Sequence, residues 1–205
     1  MDKQDHFRFI HNLYEFNDQE RSELNYYKFR DYGANGKIAE AEKKDRNPLV
    51  SLLSFCLMPN HYHLLLSPKK EGGIPQFMQK LNMGYSKYFN QKYERTGTLF
   101  QGRYKHILVS DDTHFLHLPF YIHFNPLDLM YPEWRENKMS DPKKALEFLK
   151  SYRWSSHLDY LKVKNFPSIL NMKPLMEIFG SYSDYQKLVE NYLKDIQIDQ
   201  EVTLE

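Results

Sequence analysis

Residues 49–68 read LVSLLSFCLMPNHYHLLLSP: an apolar run, the pair Pro59-Asn60, and a second apolar run that opens on histidine. Short apolar runs bounded by turn residues have strand character, and proline next to asparagine punctuates them. The stretch therefore predicts a strand, a turn and a second strand paired antiparallel to the first. In that second strand His61 and His63 stand two apart. Side chains at i and i+2 leave the same face of a strand, so both imidazoles can converge on one ion. Two ordinary polar residues on the exposed face of a sheet would show the same spacing.

Toward the N-terminus, HFRFIHNLYEF (6–16) is aromatic and partly alternating, which predicts a further strand. Asn17 or Asp18 is then placed to cap a helix through DQERSELNYYKFRD, and the polar residues 32–48 read as a mobile connection or a weak helix. Toward the C-terminus, Ile74, Phe77, Met78, Leu81, Tyr85, Tyr88 and Phe89 recur at helical spacing behind Pro75, which suits a first turn. YKHILVS (104–110) has strand composition. Asp111 or Asp112 opens a helix through THFLHLPFYIHF that ends at Asn125-Pro126, because the residue before proline disfavours the helical region. In this helix Tyr121 and Asn125 are four apart and share a face. The stretch from 128 to 142 reads as a polar surface excursion, and short helices follow. The expected fold is α+β, an antiparallel sheet flanked by helices, with a main domain over 1–140, a helical C-terminal extension over 141–195 and a flexible tail over 196–205.

A length of 205 residues suits one such domain. The single cysteine, Cys56, sits in the apolar run, which excludes an internal disulfide and a multi-cysteine zinc site and fits a reduced, cytoplasmic setting. No run approaches the roughly 18 apolar residues of a membrane span, and MDKQDHFRF has no apolar signal region. The net charge of +1 is too small to argue for nucleic acid, so any such site must be a local patch. Between Lys69 and His106 the local charge is +6, with Lys80, Lys87, Lys92, Arg95, Arg103 and Lys105 interleaved with Tyr88 and other aromatics. That mixture can neutralise phosphates while stacking on unpaired bases. A solvated basic helix with core aromatics is the competing reading.

Four blocks, CLMPNHYHLLL (56–66), YSKYFNQKYERTGTLFQGRYKHILV (85–109), FYIHFNP (120–126) and YRWSSHLDYL (152–161), resemble, in the same order, a known family. It comprises the single-domain tyrosine transposases with a His-hydrophobic-His motif that mobilise bacterial insertion sequences, with their relatives associated with repetitive extragenic palindromes. The resemblance covers roughly residues 6–180 and implies a palm-like sheet of ferredoxin or RRM type. It implies that His61, His63 and Asn125 hold a divalent ion, magnesium or manganese; imidazole ligands by themselves would suggest zinc. It implies that Tyr121 is the nucleophile and that single-stranded or hairpin DNA is cut and rejoined through a 5′-phosphotyrosine, with monomer and homodimer both open. A domesticated relative that only binds or nicks DNA hairpins is the alternative. Two features depart from the pattern. Pro119 stands inside the helix, where a proline costs roughly 3 kcal/mol, and LDLMYPEW lacks the small and basic residues relatives often carry after Asn-Pro. His106 and His123 lie near Tyr121 in sequence but are expected to pack rather than react.

Overall fold

In the computed structural model, which describes residues 2–20, 46–136, 138–139 and 141–195, β1 (Val50–Leu57) and β2 (Tyr62–Pro68) form a two-stranded antiparallel sheet. The Met58 N–H donates to His61 O at 2.8 Å, which leaves Pro59 and Asn60 as the turn. β1 is buried along its whole length. Its edge away from β2 is occupied by the segment after residue 151. Leu57 N–H donates to Trp154 O at 2.8 Å, Ser156 N–H to Phe55 O at 3.0 Å, Tyr152 Oη to Leu57 O at 2.6 Å and Tyr160 Oη to Leu53 O at 2.7 Å. A buried strand edge without such partners would leave backbone groups unsatisfied.

The remaining elements are helical: α1 (Lys3–Glu15), α2 (Gly73–Lys92), α3 (Asp112–Phe124), α4 (Pro142–Ser151), α5 (His157–Tyr160), α6 (Lys173–Phe179) and α7 (Tyr182–Asp195), with 3-10 turns at Asn125–Leu129, Pro132–Glu136 and Pro167–Ile169. The fold is thus α+β, as expected. The chain divides into two compact units, one of residues 1–6, 51–67 and 102–205, the other of 7–50 and 68–101. Among the described residues no helix is long and apolar enough to cross a membrane.

Three expectations are corrected. Residues 6–15 are helical, not a strand. Phe7 and Phe9 alternate, but the buried set is Phe9, Ile10, Leu13 and Phe16, which is helical spacing. Residues 104–110 pair with no strand among the described residues and run extended, with Ile107 61% and Leu108 84% exposed. Strand composition becomes a strand only when another edge completes its hydrogen bonds. The excursion after Leu127 is not all surface, since Trp134 is 1% exposed. The helix expected through DQERSELNYYKFRD falls largely outside the described residues, as does the tail over 196–205.

In the second unit, Asn17 clips the start of β1. Its Oδ1 accepts from Leu49 and Val50 N–H at 3.0 and 2.9 Å, and its Nδ2 donates to Val50 O at 2.9 Å. Phe9 meets Tyr85 of α2 edge-on with centroids 4.9 Å apart. Gly72 precedes α2 with φ +67°, a left-handed conformation that favours glycine. At Gly73 a Cβ would stand 2.3 Å from Leu49 O, so only glycine admits this approach.

The first unit is where the candidate site lies. The C-terminal half of α3, from Pro119 to Phe124, is buried on every side, and the helix continues through Pro119. Asp111 caps it by accepting from His114 N–H at 3.0 Å. Phe120 stacks on Tyr185 and Tyr192 of α7 at centroid distances of 5.7 and 4.5 Å. On another face a polar relay fixes α3 in place. Ser156 Oγ accepts from Phe55 N–H at 2.9 Å and donates to Phe55 O at 3.2 Å, so His123 Nε2, 2.7 Å from that oxygen, must be the donor. His123 Nδ1 then accepts from Tyr185 Oη at 2.7 Å, and Tyr185 Oη accepts from His157 Nδ1 at 2.8 Å. Both histidines are neutral in this pattern. Their pKa values are lowered, chiefly by burial, that of His157 to about 3. His123 therefore packs, as expected, whereas His106 lies exposed beside Tyr104.

Candidate active site

The strand and the helix bring four of the residues singled out from the sequence together. His61 immediately precedes β2 and His63 lies within it, their rings 4.9 Å apart between centroids and nearly perpendicular. The His63 ring faces Tyr121 of α3 at 6.0 Å, again edge to face. Asn125, the C-cap of α3, keeps helical angles and donates from Nδ2 to Tyr121 O at 2.8 Å, which aims its Oδ1 away from its own helix.

The electrostatics favour neutral imidazoles. Burial pushes the His63 pKa down to about 4; His61 and Arg135 add to this, and Asp128 and the Asn125 side chain oppose it. His61 is lowered first by partial burial, with Asp128 opposing and Arg135 assisting. A neutral imidazole keeps the lone pair a metal requires. His63 Nε2 is buried without a hydrogen-bond partner. His61 Nδ1 lies 2.7 Å from Asn60 Oδ1, a contact in which the ring nitrogen donates, leaving Nε2 as the lone-pair nitrogen. Among the described residues no group of three His, Cys, Asp or Glu side chains could hold a metal ion. Two imidazoles and the Asn125 amide oxygen are thus the donor set these residues offer, and an orphaned buried nitrogen fits it.

Sequence reading missed the other half of the site. Arg135, from the second 3-10 turn, donates from Nη1 to Tyr121 Oη and from Nη2 to Asn125 Oδ1, each at 3.1 Å. Its Nε and Nη2 grip Asp128 at 2.9 and 2.7 Å, and Trp134 Nε1 donates to the same carboxylate at 2.6 Å. Partial burial disfavours the charge on Arg135, yet the bonds to Asp128 and Tyr121 outweigh it and hold its pKa above the ordinary value. Asp128 occupies the stretch that looked deficient in basic residues, and Arg135 folds back to supply one. A tryptophan inside a polar segment was the available signal, because a large aromatic is seldom left in water without cause.

The basic residues divide between the two units. In the one containing α2, Lys80 turns its ammonium onto the carbonyls of Asp18 and Glu20. Lys87 is exposed, Lys92 lies over the rings of Tyr88 and Tyr93, and Arg95 lies over Phe89. In the other unit Arg103 and Lys105 are exposed on the extended stretch that precedes α3.

Residues 37–125 match the family model of IS200-like transposases, a stretch that contains His61, His63, Tyr121 and Asn125 and stops short of Asp128 and Arg135. No curated protein and no solved structure matched the chain. Over residues 37–125 the chain is thus similar to the IS200-like transposases.

Proposed function

We propose that this protein is a transposase that cuts and rejoins single-stranded or hairpin DNA by transesterification, with Tyr121 as nucleophile and His61, His63 and Asn125 holding magnesium or manganese. The observation that carries the reading is the placement of the Tyr121 phenol beside His63, whose buried Nε2 has no partner. A bound divalent ion would polarise the scissile phosphate and favour the charge that develops there. The chain's own residues supply the rest. Tyr121 Oη bonds to phosphorus, the bond from phosphorus to the 3′-oxygen breaks, and the phenol's proton ends, net, on that oxygen. The phosphodiester is exchanged for a phosphotyrosyl ester, so rejoining requires no nucleotide. Exposed Lys87, on a helix that also carries Tyr85, Tyr88 and Phe89, supports a DNA-contacting role for α2, since cations interleaved with aromatic rings serve unpaired bases.

The test is covalent attachment of end-labelled single-stranded oligonucleotides in the presence of either metal. Tyr121→Phe removes the nucleophilic oxygen and keeps the ring, so attachment should vanish at every metal concentration while DNA binding stays. His61→Ala should lose attachment and regain part of it with excess metal. Adducts mapped by peptide analysis to Tyr85, Tyr88, Tyr93 or Tyr104 in the Tyr121→Phe protein would overturn the assignment. Binding without any adduct in the unaltered protein would favour a hairpin-binding relative without turnover.

A further inference from the structure

We propose that Arg135 is a catalytic cation of this site, one that donates to the Tyr121 oxygen and to a non-bridging oxygen of the scissile phosphate from the same nitrogen. The inference rests on the tyrosine chemistry proposed above.

A guanidinium carries five N–H groups in a fixed plane. Four are accounted for: Nε and one N–H of Nη2 go to Asp128, the other N–H of Nη2 to Asn125 Oδ1, and one N–H of Nη1 to Tyr121 Oη. The fifth, on Nη1, has no acceptor among the described residues. It belongs to the nitrogen that already holds the phenol oxygen, and the side chain is 32% exposed, so an incoming phosphate can reach it. Asp128 sets the direction of the fork. Its carboxylate takes the Nε and Nη2 edge and is itself held by Trp134, which is 1% exposed, so the Nη1 edge is turned toward Tyr121.

In the forward step Oη begins neutral and passes through a transition state with charge spread over Oη and the phosphate oxygens. In rejoining, the 3′-hydroxyl oxygen bonds to phosphorus, the bond from phosphorus to Oη breaks, and Oη departs as the leaving group, with the 3′-hydroxyl proton ending, net, on it. An N–H donor on Oη in both directions stabilises that charge, and arginine does so at every working pH because it stays protonated. A merely structural Arg135 would tie Asp128 to the turn but would have no bearing on how well Oη carries charge.

The experiment measures single-turnover rates of adduct formation and of rejoining, on a labelled single-stranded oligonucleotide, for the full chain and for Arg135→Gln and Arg135→Lys. Removing a donor of this kind lowers rates by about 100-fold to 1000-fold. Both rates should fall by that order in Arg135→Gln while the oligonucleotide Kd changes far less. Arg135→Lys keeps the charge beside Asp128 without the second donor edge and should stay well below the unaltered protein, which keeps the test open where the Gln variant does not fold. The decisive readout is 3,5-difluorotyrosine in place of Tyr121, because fluorine lets the ring carry oxygen charge unaided. It should accelerate rejoining about tenfold more in the Arg135 variants than beside Arg135. Equal effects of fluorination in both backgrounds, or an unchanged rate in a folded Arg135 variant, overturn the inference. Absence of any adduct in the unaltered protein overturns the tyrosine chemistry instead.

Discussion

Tyr185→Phe tests the relay that holds α3, and with it Tyr121, in place. The substitution removes one hydroxyl from a side chain that is fully buried and keeps the ring that stacks on Phe120. It strands two partners at once: His157 Nδ1–H loses its acceptor at 2.8 Å and His123 Nδ1 loses its donor at 2.7 Å. Each buried group left unsatisfied costs about 1–3 kcal/mol, and the missing oxygen leaves too little space for a compensating water. The loss is therefore about 2–6 kcal/mol, a large share of the roughly 5–15 kcal/mol that stabilises a domain. Urea unfolding followed by far-ultraviolet circular dichroism at pH 7 measures it as a lower midpoint with an unchanged slope. A loss below about 0.5 kcal/mol would mean that the relay is not a stabilising network, whatever its distances.

Acid should weaken the same region. The folded pKa of His157 is lowered to about 3, first by burial and then by Lys150, against 6.5 in the free residue. Because the folded value lies below the unfolded one, this contribution is complete above pH 6.5 and is lost as the pH falls from 6.5 toward 3; one such group removes roughly 2–3 kcal/mol by about pH 4.5. The pH dependence of the urea midpoint should flatten in His157→Asn, and an identical slope would refute the assignment. Gly73→Ala forces a Cβ to within 2.3 Å of a carbonyl oxygen and should lower stability by about 1–3 kcal/mol in thermal melts; an unchanged melting temperature would contradict the close approach. Single-stranded DNA should bind at least about tenfold more tightly than blunt duplex at one stated salt concentration, since stacking is worth roughly 1–3 kcal/mol per base, and equal affinities would argue against the aromatic surface of α2.

Patterns that act within a few residues are legible in the amino-acid sequence alone. Pro59-Asn60 between two apolar runs specifies the hairpin, His61 and His63 at i and i+2 share a face, and Tyr121 and Asn125 lie one helical turn apart, because each spacing converts directly into a direction on a strand or helix. Where two periods overlap, as in HFRFIHNLYEF, local pattern cannot choose, and burial of Phe9, Ile10, Leu13 and Phe16 settles it as a helix. Segment 104–110 has the composition of a strand and no described edge to pair with, a fact about the neighbours rather than about the segment. Arg135 reaches Tyr121 from 14 residues away, His123 meets Tyr185 from 62, and Tyr160 caps Leu53 from 107. Such contacts depend on which elements are brought together by burying their apolar faces, and no local spacing encodes them. The face that carries His61 and His63 and the turn that joins Tyr121 to Asn125 are therefore readable in short motifs, whereas the cation beside Tyr121 is placed by long-range packing.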